Sequence, residues 1–212
     1  MEVSSRLDEL DDAAAKKREQ LLKNRGAEEK KEELRQQFTG TRLAFKRIEF
    51  LLDYLQPQDV KDYINGAPLP KTERNTPRVV VLEPKGLQAI DEIIFSDKPA
   101  EESSKLIKLC ADLKSQSRLI NRYQQKIELY DRQVLEAVRL GLVRIMTLGL
   151  TAFDTPASDN ALEENQVAFD ALHRTLKPYL QQAHDQKLAR EIENLFSGAA
   201  RFLAQTKKLE NF

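Results

Sequence analysis

What most constrains this chain is a helical repeat. Along most of its length apolar residues recur three or four positions apart, on a background rich in leucine, alanine, glutamate, lysine, arginine and glutamine. Those side chains lose little freedom in a helix, whereas glycine is costly there, and only 7 of the 212 residues are glycine. β-branched runs are few. An all-α fold follows, read as an antiparallel helical bundle forming a single helical domain over residues 1–212. The length is enough for one sizeable core.

Within that reading, residues 1–37 form a charged helical N-terminal arm. Its apolar residues are thin (Leu7, Leu10, Ala14, Leu21, Leu22, Leu34), and a break falls near Gly26. Residues 38–212 form the bundle core. A greasier helix covers 41–56 and stops at Pro57. Between 57 and 84 lie Pro57, Pro68, Pro70, Pro77 and Pro84 and the pair Asn65–Gly66. This is a long Pro-rich loop with a short helix near 58–64 and a brief extended piece at Val79–Val81. Further helices are expected at 84–95, with Pro84 in the first turn, and from about 100 to 122. The segment 129–152 is apolar in nearly every direction and should be central. Helices at 160–183, capped by Asp159 or Asn160, and at 187–207 complete the chain.

Placing residues at 100° steps shows where this pattern carries charge inward. On the helix after Gly86, Asp91 falls roughly 40° from Leu87, inside the apolar stripe, with Gln88 at its edge. On the 41–56 helix, Arg47 lies roughly 40° from Leu43, between Leu51 and Tyr54, while Arg42, Lys46, Glu49 and Asp53 share the opposite, polar side. Arg144 projects between Leu140 and Leu148. An unpaired buried charge costs several kcal/mol, so Arg47, Gln88, Asp91 and Arg144 form a candidate buried polar or ligand cluster, with Asp91 expected to meet Arg47, Arg144 or both.

Other chemistry is sparse. The 34 basic and 34 acidic residues cancel, so nothing suggests a nucleic-acid footprint. No apolar run approaches the roughly 20 residues of a membrane span. The sole cysteine, Cys110, sits at a helical apolar position and reads as a small core residue. His173 and His184 read as surface or flanking histidines, too far apart on a continuous helix to share a metal. There is no Cys-x-x-Cys-His haem attachment, no His-Glu-x-x-His, no phosphate loop and no nucleophile elbow. No catalytic residue and no confident metal ligand emerges.

Three separated stretches carry a resemblance: RLAFKRIEFLLDYLQPQDVKDYINGAPLP, VVVLEPKGLQAIDEIIF and LGLTAFDTPASDNALEE. Together, over about residues 38–180, they resemble the N-terminal helical region of bacterial di-haem cytochrome c peroxidase-like proteins. More distantly, the region looks like the imelysin family of periplasmic helical bundles linked to iron uptake. That family carries a Gly-x-His-x-x-Glu motif; here Gly86, Gln88 and Asp91 occupy its positions, and glutamine is a poor metal ligand beside imidazole. The resemblance implies an imelysin-like bundle, a periplasmic or otherwise extracytoplasmic setting, and membership of a longer protein. It implies a non-catalytic accessory or interaction domain with no cofactor of its own, haem belonging only to a downstream region. Its partner would then be that haem-bearing region or another protein. The alternative is an imelysin-like periplasmic iron- or ligand-binding protein with a degenerate site at Gln88 and Asp91.

Overall fold

A computed structural model describes residues 26, 28–72, 81–124 and 126–209. The chain divides into two compact units, Met1–Phe38 and Thr39–Phe212. In the first, residues 28–38 are helical; residues 1–25 and 27 of the expected helical arm over 1–37 lie outside the described residues, as do Val79 and Val80.

The second unit is mostly helical. Residues 39–46 form α1. A turn at Arg47–Ile48 separates it from α2 (Glu49–Leu55), so the helix expected over 41–56 is two. Pro57 opens α3 (Pro57–Asp59), which runs into a π-helical turn, Val60–Ile64. The Pro-rich connection then forms a two-residue antiparallel ribbon, β1 (Lys71–Thr72) against β2 (Val81–Leu82).

Helix α4 (Leu87–Ile94) starts later than Pro84. Gly86 precedes it at φ 88° and bridges Asn65, and a Cβ there would meet the Ile64 carbonyl oxygen at 2.5 Å. Only glycine fits both conditions. Helix α5 (Ser103–Gln124) follows a 3₁₀ turn at Pro99–Glu102. Helix α6 (Asp131–Arg144) continues as a π-helical turn, Ile145–Gly149. Helices α7 (Ala161–Gln182) and α8 (Gln186–Leu209) close the chain. Asn160 stands at the N-cap of α7 without a side-chain cap bond; its amide donates instead to Thr39 Oγ1 at 3.1 Å.

The apolar core lies where α6, α7 and α8 meet, around Val138, Ile145, Phe169, Leu172, Phe196 and Leu203. Helix α2 packs on α6, and α4 on α5. Two expectations need correction here. The 129–152 segment is not central: Ala137, Val138, Gly141, Ile145 and Gly149 are buried, but Met146 is 69% and Leu150 52% exposed. Cys110 is exposed and not a core residue.

Candidate functional site

The polar side of the first two helices, not the apolar side, enters the protein. Arg42, Lys46 and Glu49 recur at spacings of four and three, and all three are buried. They meet Asp154, from the loop after the π-turn, and Glu164, from the first turn of α7. Arg47, which the wheel placed inward, is exposed and takes no part. The reason is the break at Arg47–Ile48, together with a partner surface more than a hundred residues away whose charges make the polar face the inner one.

Arg42 and Asp91 are both 0% exposed. Arg42 grips Glu164 with two guanidinium nitrogens, Nε to Oε1 and Nη2 to Oε2 at 2.7 Å, and its Nη2 also donates to the Asp154 carbonyl at 2.6 Å. This fork-on-fork geometry is the strongest form of a charged hydrogen bond. Lys46 Nζ donates to Glu49 at 2.8 Å and Asp154 at 3.0 Å, and lies 3.8 Å from Glu164. Arg144 lies on the far side, with Nη2 donating to both Asp154 oxygens at 3.1 and 3.0 Å. Its Nε is 3.0 Å from Glu49 Oε1, off the hydrogen-bonding direction, and Nη1 is 3.5 Å from Asp53. Three cations thus face three buried carboxylates, with Asp53 at the half-buried edge.

The helix α4 residues join as neutral and anionic neighbours. Gln88 Nε2 donates to the Asn65 carbonyl and to Asp154 Oδ1, both at 3.2 Å. Asp91 Oδ2 accepts the backbone N–H groups of Ala157 at 3.0 Å and Ser158 at 3.2 Å. So Asp91 does face inward beside Gln88, as expected, but its direct partners are two amides of the Asp154 loop. The cation whose charge it feels is Arg42, and neither Arg47 nor Arg144 forms an ion pair with it.

Titration follows the geometry. Burial pulls Arg42, Lys46 and Arg144 down, but the surrounding carboxylates outweigh it and leave all three above their ordinary values. Burial pushes Asp154 up, yet Lys46 and Arg144 outweigh it and hold its carboxyl below the usual range. For Glu164 burial wins over Arg42 and raises the carboxyl, as it does for Asp53. Glu164 therefore takes a proton more readily than Asp154.

A metal ion in this arrangement would face opposing positive charge. Among the described residues no group of three or more His, Cys, Asp or Glu is placed to hold one. The Gln88 amide nitrogen and Asp91 Oδ2 are already committed, while Gln88 Oε1 and Asp91 Oδ1 have no hydrogen-bond partner among the described residues; a divalent ion at those two oxygens would feel the buried Arg42 guanidinium. His173 is engaged elsewhere, 3.0 Å from Glu193 and stacked on Phe196.

The sequence reading missed Asp154, Glu164 and the inward role of Arg42, Lys46 and Glu49. The available signal was the acid in AFDTPASDN beside a Pro-containing turn that frees backbone N–H groups. The chain matches no protein-family model, no curated protein and no solved structure.

Proposed function

We propose that this chain is a non-catalytic interaction module, an imelysin-like antiparallel bundle serving as the accessory domain of a periplasmic cytochrome c peroxidase-like protein. The observation that carries this reading is the exposed apolar face of the α6 segment. Leu140, Val143, Met146, Leu150 and Phe153 recur every three or four residues and all stand open to solvent. A helix that presents this much apolar surface outward, with its opposite side in the core, is suited to packing on another protein. The ionic cluster supports the same reading from inside. In it Glu49, Asp154 and Glu164 are held by cations, and Asp91 Oδ2 by two backbone amides.

The partner that the resemblance implies is the haem-bearing region. Co-expression of the two, followed by gel filtration, tests it. One complex is expected, and Met146→Lys with Phe153→Lys should dissociate it while the helical circular dichroism is unchanged. Separate elution of the unmodified pair overturns the proposal.

A second reading, degenerate imelysin-like metal binding, is favoured by one observation: Gln88 and Asp91 keep the motif spacing and both face the same buried site. Titration with ferrous iron and zinc decides it. Saturable binding that is lost in Asp91→Ala would support this reading; no binding removes it.

A further inference from the structure

A cavity of about 400 Å³ opens between α1, α2, α4 and α5. Its walls are Phe45, Leu52, Ile64, Leu87, Leu113 and Ile120. It reaches the core, because Leu87 on its floor is 2% exposed, and it is open to solvent, because Ile48 at its mouth is 51% exposed. Two small residues, Ala44 on α1 and Ser117 on α5, leave space where larger side chains would fill it. The turn at Arg47–Ile48 contributes by swinging Ile48 to the rim instead of the core. Phe45 and Leu87 are sequence neighbours of Lys46 and Gln88, yet none of the network's charged residues lines the cavity.

We infer that this cavity binds a neutral, mainly apolar small molecule with one uncharged hydrogen-bonding end. The size is that of a ligand pocket, and so is the lining, apolar walls with a few polar groups. The charge of the occupant follows from the lining. Among the described residues no side chain lining the cavity is ionisable, so a carboxylate or an ammonium carried inside would lose its water and gain no counter-charge from the lining. The polar end belongs at the α5 rim. There the Ser117 hydroxyl donates to the Leu113 carbonyl at 2.8 Å and keeps its acceptor lone pairs, while the exposed Asn121 carboxamide both donates and accepts. A straight-chain alcohol has this chemistry: an alkyl body for the walls and a hydroxyl for the rim.

The test is isothermal titration of the full chain with 1-decanol, decanoate and decylammonium at neutral pH. Saturable one-site binding of decanol is expected, with both charged analogues weaker by about tenfold or more. Ser117→Phe, an exposed position at the mouth, should weaken decanol binding by about tenfold or more, while Ser115→Phe on the same helix but outside the cavity leaves it unchanged. Ala44→Leu narrows the opposite wall and should act like Ser117→Phe. No saturable decanol binding overturns the inference. Equal binding of the charged analogues overturns its ligand class, and decanol binding that survives both blocking substitutions overturns its location.

Discussion

Removing either member of the Arg42–Glu164 pair should damage the protein in different ways, because one partner is able to shed its charge and the other is not. Glu164→Leu leaves a guanidinium with no exposure and no forked carboxylate, and arginine does not deprotonate in proteins. Breaking a buried pair in this way costs about 3–5 kcal/mol, a large share of a typical stability of roughly 5–15 kcal/mol. That cost should be no smaller at pH 5 than at pH 7, because the raised Glu164 carboxyl stabilises the parent as pH falls toward it. Arg42→Met leaves Glu164 instead, and Glu164 escapes by taking a proton. Holding a carboxyl of ordinary value 4.5 neutral costs about 1.4 kcal/mol per pH unit, so the charge penalty is capped at about 3.5 kcal/mol at pH 7 and under about 1 kcal/mol at pH 5. The double variant Arg42→Met/Glu164→Leu, similar in volume and uncharged, should return to within about 1–2 kcal/mol of the parent. What remains is mostly the Asp154 carbonyl, which loses the Nη2 donor. The assay is urea unfolding followed by far-UV circular dichroism, since the chain has no tryptophan, at both pH values and with the slope checked for constancy. Arg47→Ala, at an exposed position, is the control and should stay within about 0.5 kcal/mol. Equal costs of Arg42→Met at pH 7 and 5, or a Glu164→Leu cost below about 1 kcal/mol, would refute the reasoning.

Asp154 contributes stability that is lost in acid. Its folded value lies below the ordinary 3.8, so its contribution is fully present above 3.8 and is lost as pH falls through the folded value. Asp154→Asn should lower stability at neutral pH and flatten the fall below pH 3.8, measured as the urea midpoint against pH. Gly149→Ala should destabilise by about 1–3 kcal/mol, because a Cβ there would run into the Asn165 carboxamide oxygen. Asn165→Ala in the same chain should recover much of that loss in thermal melts; no recovery would place the strain elsewhere.

The helical class was legible because it rests on local spacing, and so was the inward turn of Gln88 and Asp91, because α4 is short, strongly patterned and buried almost all round. Arg47 was misplaced for two reasons that local spacing does not record. The wheel treated 41–56 as one helix, so the turn at Arg47–Ile48 shifts every angle beyond it. The wheel also assumes that the apolar side is the inner side, which fails when the neighbouring surface is itself charged. Here that surface comes from Asp154 and Glu164, 108 residues beyond Lys46 and 122 beyond Arg42. The 129–152 segment failed in the opposite sense. Its apolar residues outnumber what one core can cover, and periodicity alone does not distinguish a side chain that packs within the chain from one left facing outward.

A hydrophobic core would hold these elements as firmly, so stability is a weak reason for the network. Its geometry suggests a different role. Apolar contacts are non-directional, but Asp154 satisfies Lys46, Arg144 and Gln88 together only in one placement of its loop, and Asp91 fixes the next turn of that loop through two adjacent N–H groups. The network then acts as a register device that ties α1, α2, α4 and α6 to the segment 154–158. The double variant separates this role from stability. If Arg42→Met/Glu164→Leu unfolds at nearly the parent urea concentration while amide resonances of residues 154–158 broaden or double, the charges select one arrangement among several of similar energy. Sharp, single resonances for those residues in the neutral variant would show that packing alone defines the loop, and that the ion pairs follow the fold without specifying it.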